Sequence, residues 1–260
     1  MGGRRAARGE PLTIVHAIGI EQAAYLVHDP EQRILGTARS MLDDAAGLVA
    51  RTHPRVTVST VLSRAEPAES LLEAAAGGGT IVVGSRGLGG FAALLVGSVG
   101  LRVAARAHGP VVVVRDGASA PTQVVLVAVR DDGDRDTLRF AARTALARGA
   151  SLWVMSVWRF LENVGSMVTM VDDVSELARA EADATTGTVT PIRAEYPELA
   201  ISEETVRAVS VAGQLAEASR RADLLVVGAR RPAHTIGSPL GRVAHALLQH
   251  AHCPVAVVPR

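Results

Sequence analysis

Short apolar runs alternate with amphipathic stretches along the whole chain. In the first half, runs at about residues 12–18, 55–62, 80–84 and 110–115 read as strands, and the stretches at about 32–52, 68–76 and 98–108 carry helical periodicity. In the second half, strands are expected at about 123–129, 151–158, 199–206, 223–228 and 254–259, with helices at about 134–148, 173–187, 211–221 and 241–251. The strand runs are nearly continuous Val, Ile and Leu rather than alternating with polar residues. That pattern predicts strands buried on both faces of a parallel sheet, an α/β fold with right-handed crossovers placing helices on each side.

The chain also repeats itself. Thr80-Ile-Val-Val-Gly84 is followed by a small-residue loop, Gly97-Ser98, a helix, and Gly109-Pro110 before Val111–Val114. Asp223-Leu-Leu-Val-Val-Gly228 is followed by a loop, Gly241-Arg242, a helix, and Cys253-Pro254 before Val255–Val258. The offset is 144 residues at Gly84/Gly228, Gly97/Gly241 and Pro110/Pro254. Upstream, Leu12–Val15 aligns with Leu152–Met155 at an offset of 140. One spacing held at three landmarks marks a tandem duplication, with expected domains at 1–117 and 122–260 joined by a short turn-rich linker around Pro121. The halves are unequal: Gln123–Val129 has no counterpart before residue 1, so the first half lacks its opening strand and most of its first helix.

Composition narrows the chemistry. Hydrophobic residues make up 48% of the 260 and aromatics only 3%, so the cores are built from Val, Ala and Leu. Net charge is +1, which gives no global field for nucleic acid or an anionic membrane. Every basic residue is Arg, which excludes a Walker-type phosphate loop and Lys Schiff-base chemistry. There is a single cysteine, Cys253, no run of 18 apolar residues, and no apolar segment behind Arg4-Arg5; a cytoplasmic protein is expected.

The glycine spacing Gly84-x2-Gly87-x9-Gly97-Ser98, set between a Val-rich strand and a helix that leads to a Pro-initiated strand, resembles the ATP-binding signature of the universal stress protein family. The closing small residue-Pro-Val phrase is similar to that family in both halves. The resemblance covers essentially the whole chain. It implies two tandem flavodoxin-like (HUP-type) αβα sandwiches, the first lacking its opening strand. It also implies adenine nucleotide contacts at Gly84, Gly87, Gly97, Ser98 and Val99, and pairing of the last strands (110–115 and 254–259) between halves or between chains. The physical logic is direct. Glycines let backbone approach phosphate or ribose, and the N–H groups opening the helix at 98 are suited to an anion.

Two departures bear on that expectation. Family members end the first strand in an Asp that reads the nucleoside; the first half lacks the strand, and the second reads Val129-Arg130-Asp131-Asp132. The second half's glycine motif carries Arg231 and Arg242 in place of Gly and Ser. ATP is therefore expected in the first half only, with poor or no binding in the second, where two long arginines could attract an anion or fill the pocket. Three accounts of the missing strand stand open: a start site placed too late, a degenerate half propped up by the other, or a strand donated by another chain.

Other motifs carry less. Gly87-Leu-Gly89-Gly-Phe-Ala92 matches a dinucleotide fingerprint loosely but lacks the acidic residue on a following strand. His245, His250, His252 and Cys253 do not share a face, so a metal site is not expected. Asp131, Asp132, Asp134 and Asp136 lack the later Glu of a calcium loop and read as solvated loop and helix-start charges. Residues 164–174, with Met167 and Met170, read as an insertion before a helix. No nucleophile–base–acid set is present, so no enzymatic activity is expected. The resemblance then implies a nucleotide-responsive regulatory protein; the alternatives are a ligand-free interaction scaffold and, behind it, a slow nucleotide hydrolase.

Overall fold

The computed structural model describes residues 10–19, 30–85, 97–115, 120–159, 171–229 and 240–260, excluding the side chains of 30–31 and 171–174. The first half contributes β1 (Leu12–Ala17), α1 (Pro30–Thr52), β2 (Val58–Ser63), α2 (Pro67–Ala74), β3 (Ile81–Gly84), α3 (Ser98–Arg106) and β4 (Val111–Val114). The second contributes β5 (Val124–Val129), α4 (Arg135–Arg148), β6 (Ser151–Trp158), α5 (Val171–Glu195), β7 (Ile201–Arg207), α6 (Val211–Ala218), β8 (Leu224–Ala229), α7 (Arg242–His250) and β9 (Val255–Pro259). Among the described residues no helix is long and apolar enough to cross a membrane.

The second half forms a parallel sheet in the order β9-β8-β5-β6-β7, with its first strand in the centre. Leu126 is buried on one face of β5, and Val125, Val127 and Val129 on the other, as a central strand covered by helices on both sides requires. α4 shows how one covering helix is specified. Leu138, Ala141, Ala142 and Ala145 recur at helical spacing and are fully buried, and the helix stops at Gly149, whose φ of 63° is the left-handed conformation of a C-terminal glycine. The linker enters β5 at Gln123, held at φ 56°, while the Asp223 carboxylate accepts from the Thr122 and Gln123 N–H groups at 2.7 and 2.8 Å.

In the first half the corresponding order is broken. β1 and β2 form a separate two-stranded parallel sheet, and β3 pairs with β4. β4 then pairs antiparallel with β9, Val111 opposite Val257 and Val113 opposite Val255, joining both halves into one seven-stranded sheet. Arg115, just past β4, reaches across the same seam. Its Nη2 donates to the Leu247 carbonyl at 3.4 Å and to that of Leu248, at the negative end of α7.

Two elements differ from expectation. α5 begins at Val171 and runs to Glu195, through Gly187 and Pro191, rather than spanning 173–187; the insertion expected at 164–174 therefore ends earlier, and its residues 164–170 lie outside the described residues. Pro191 removes one helical donor, but Val189 and Ile192 beyond the expected end are fully buried against the sheet. Their burial outweighs the local penalty. The expected helix 211–221 is α6 followed by a 3-10 turn at Ser219–Arg221.

Core truncations should separate the halves. Leu225→Ala, in fully buried β8, is expected to cost about 2–5 kcal/mol in urea unfolding. Val82→Ala, at an exposed position of β3 beside buried Ile81, should cost less than about 0.5 kcal/mol.

Candidate functional site

β5, β6 and β8 run parallel, and their carboxyl ends converge where strand order reverses, the place where open α/β sheets bind ligands. A cavity of about 630 Å³ opens there. Its apolar wall comes from Met155 and Trp158 of β6, Leu177 of α5 and Leu215 of α6; its polar rim carries Arg130 and Arg242. Gly241 caps α7 with φ 72° and no side-chain hydrogen bond, so the first N–H groups of that helix lack a side-chain cap at the cavity wall. Arg130 and Arg242 both line this cavity, and Arg231 lies outside the described residues.

Beside the cavity, Asp134 is buried, and the expectation that it is a solvated loop charge is corrected. A 3-10 turn at Asp132–Asp134, capped by the Asp131 side chain accepting from the Gly133 N–H, turns Asp134 inward. Its carboxylate accepts from the Arg130 N–H at 2.9 Å and lies 3.0 Å from Nε of Arg260, itself buried. Arg260 also donates to the Gly133 carbonyl at 2.9 Å and to Asp131. Burial pushes the Asp134 carboxyl above its ordinary value, against the opposing Arg130 N–H bond and the charges of Arg260 and Arg130. At Asp131 burial also raises, but the hydrogen bonds from Arg260 and Gly133 with the charges of Arg260 and Arg130 bring the net shift below normal.

Gly228 faces this cluster. A Cβ there would stand 2.4 Å from Asp134 Oδ1 and 2.9 Å from both Arg260 Cδ and Thr137 Oγ1. The second half's first motif glycine is thus required by internal packing, a role its spacing alone did not reveal.

The residues singled out in the first half are placed as follows. Gly84 ends β3 opposite Val114 and is exposed. Gly97 is the N-cap of α3 and its N–H donates to the Ser85 carbonyl at 2.8 Å, so that donor is already engaged. Ser98 opens α3 and is exposed, whereas Val99 packs against the core. Gly87 lies outside the described residues, as do Gly89–Ala92 and Arg231. The structure brings Gly84, Gly97 and Ser98 to one end of β3, but among the described residues no strand stands beside β3 where β5 stands beside β8. Sequence reasoning missed the Asp134–Arg260 pair; the one available signal was an Asp five residues past the end of a central strand.

Elsewhere, His245 is hydrogen-bonded to Gln249 at 3.2 Å, and no group of three metal-ligating side chains occurs among the described residues. Burial foremost pushes the Cys253 thiol up to about 12, so it stays protonated at neutral pH.

The profile of the universal stress protein family matches residues 3–115 and again 121–259. A universal stress protein of Mycobacterium tuberculosis (strain H37Rv) is 30% identical over 267 residues, covering 95% of this chain and 86% of the relative. One from Mycolicibacterium smegmatis is 29% identical, covering 95% and 87%. Among solved structures, a universal stress protein from Archaeoglobus fulgidus shares the fold with a TM-score of 0.65 at 16% identity, over 97% of this chain and 87% of that one.

The two acids should titrate stability in opposite directions. Asp134, with its pKa raised on folding, stabilises below its unfolded value of about 3.9, and that contribution is lost as pH rises through the folded value. Asp131, with its pKa lowered, stabilises above about 3.9 and loses that contribution as pH falls. Urea melts of Asp134→Asn and Asp131→Asn against the parent, followed across pH, are expected to show differences of opposite slope. Gly228→Ala should lower stability by about 1–3 kcal/mol through displacement of Asp134.

Proposed function

We infer that this chain, which belongs to the universal stress protein family, is a nucleotide-responsive regulatory protein of the cytoplasm that binds an adenine nucleotide without turning it over. The observation carrying this reading is the cavity of about 630 Å³ at the carboxyl ends of β5, β6 and β8, bordered by the start of α7. Its size suits a nucleotide, its apolar wall suits a base, and Arg242 with the adjacent N–H groups suits a phosphate chain. The ligand is assigned to the second half, against the sequence expectation, because among the described residues the central strand of a cleft stands only there.

One observation favours the scaffold alternative. Asp134, Arg260 and Thr137 crowd the side of Gly228 on which a Cβ would stand, which closes that side of β8 to a ligand.

Calorimetry with ATP separates the two. Binding is expected in the intact chain, weakened about tenfold or more in Arg242→Ala, since a charged hydrogen bond contributes about 1.5–3 kcal/mol. The Gly97→Ala/Ser98→Ala double variant should bind as the parent does. Loss confined to that double variant would move the site to the first half, and no binding to the intact chain would favour the scaffold.

A further inference from the structure

The candidate cavity has two sides, and they carry different chemistry. Leu215 of α6 and Gly241, Arg242 and Val243 at the start of α7 line one side, and Leu177 and Glu181 of α5 line the other. Strand register sets Ser156 of β6 opposite Val129 of β5 and Thr205 of β7, two residues before the end of β6 at Trp158. Side chains alternate across a strand, so Ser156 and Trp158 share the face of Leu152 and Val154, the one covered by α4 and α5. Both line the cavity.

Ser156 is only 4% exposed, yet its hydroxyl makes no hydrogen bond among the described residues. Other buried hydroxyls behave differently. Ser70, Thr185, Thr188 and Ser219 stand on helices or a helical turn, and each donates to a carbonyl three or four residues earlier. A strand offers no such carbonyl, and the main chain of β6 is already paired with β5 on one side and β7 on the other. A buried hydroxyl left unpaired is destabilising, and a group inside the cavity is what can pair it. Glu181, half-buried, is the matching case among the acids. On the same face Asp134 is held by Arg260, Glu195 by Arg139 and Glu203 by Arg193, whereas the Glu181 carboxylate has no ion pair or hydrogen bond among the described residues.

We propose that Ser156 and Glu181 read the hydrogen-bonding edge of the base and select a purine that carries an exocyclic amine, an assignment that rests on the cavity holding a nucleotide. The Glu181 carboxylate accepts from the amine, and the Ser156 hydroxyl donates to a ring nitrogen beside it. Trp158 and Leu177 supply apolar cover on the same side, and the phosphate chain runs to Arg242 and the first N–H groups of α7 on the other. The acceptor that Arg130 cannot provide at the end of β5 is thereby supplied from α5. A purine with a carbonyl in place of the amine sets two acceptors against each other at Glu181 and is rejected.

The test is calorimetry on the intact chain with ATP, ITP and 2′-deoxyATP. The parent is expected to bind ATP about tenfold or more tightly than ITP, because the ITP carbonyl faces a carboxylate. Glu181→Gln, whose amide can also donate, should reduce that preference to about threefold or less. Ser156→Ala should weaken ATP binding by about fivefold or more. It should also leave the melting temperature of the unliganded protein no lower than the parent's, because the hydroxyl it removes has no partner. Residues with a packing role alone would instead lower the melting temperature and weaken ATP and ITP alike, which overturns the proposal. Failure of the parent to bind any of the three overturns the nucleotide reading and this assignment with it. ATP bound no better than ITP, or a preference that survives Glu181→Gln, overturns this assignment alone. So does a variant that loses discrimination against 2′-deoxyATP rather than ITP, because Ser156 and Glu181 then hold the sugar.

Discussion

The architecture depends on three residue pairs in one antiparallel seam. Val111, Val112 and Val113 of β4 lie opposite Val257, Ala256 and Val255 of β9, and every other strand pairing among the described residues is parallel. Parallel strands need crossovers, so each half can extend its own sheet only by adding a strand–helix unit. An antiparallel join has no such requirement and lets two finished halves meet edge to edge. Pairing these last strands removes two exposed edges at once. It also carries a single hydrophobic core across the boundary, from Val103 and Ala104 of α3 to Leu247 and Leu248 of α7. Arg115 adds a directional contact over the same seam, at the C-terminal carbonyls of α7.

Much of this was legible in the chain. The 144-residue offset locates β3, α3 and β4 against β8, α7 and β9, and the apolar runs mark the described strands to within a few residues, least clearly at β7 with its Glu203-Glu204. That legibility has a physical basis: buried parallel strands admit little besides β-branched and aliphatic residues, so burial writes itself into composition. What escaped was set by contacts far apart in sequence. Asp134 reads as a solvated charge because its neighbours are Asp132 and Asp136, yet its partner Arg260 lies 126 positions away and brings the counter-charge that permits burial. Pro191 reads as a helix terminator, and only the sheet behind Val189 and Ile192 explains why the helix continues. Within the candidate site, Gly241 and Arg242 were identified by alignment of the halves. The apolar wall of Met155, Trp158 and Leu177 was not, because nothing local distinguishes a cavity-lining residue from a core one.

Arginine at positions 130 and 242 changes what the second cleft can recognise. An Asp at the end of the first strand, which the family resemblance leads one to expect, would accept hydrogen bonds from a nucleoside. Arg130 can only donate, so it cannot perform that reading. On the nucleotide-binding proposal, selectivity for a base comes from shape and from the Trp158 side of the cavity. The carboxylate chemistry is retained close by in Asp134, but its Arg130 N–H and Arg260 contacts commit it to holding the β5 terminus in place.

The two faces of the long sheet also imply an order of dependence between the halves. β9 is held within its own half by β8 and by cores on both faces, whereas β4 has β3 on one side and little cover on the face of Val114. The stability of β3 and β4 is therefore supplied largely through β9 and the shared core, while the second half needs nothing comparable in return. A strand pair with one covered face is marginal alone, because three or more strands with a packed face are generally needed for independent stability. β1 and β2 are further removed, tied to the rest by α2, which packs on both β1 and α3. Local opening should accordingly begin at β1–β2 and reach β8 last, the gradient expected when cohesion is transmitted through one seam rather than through two complete sandwiches.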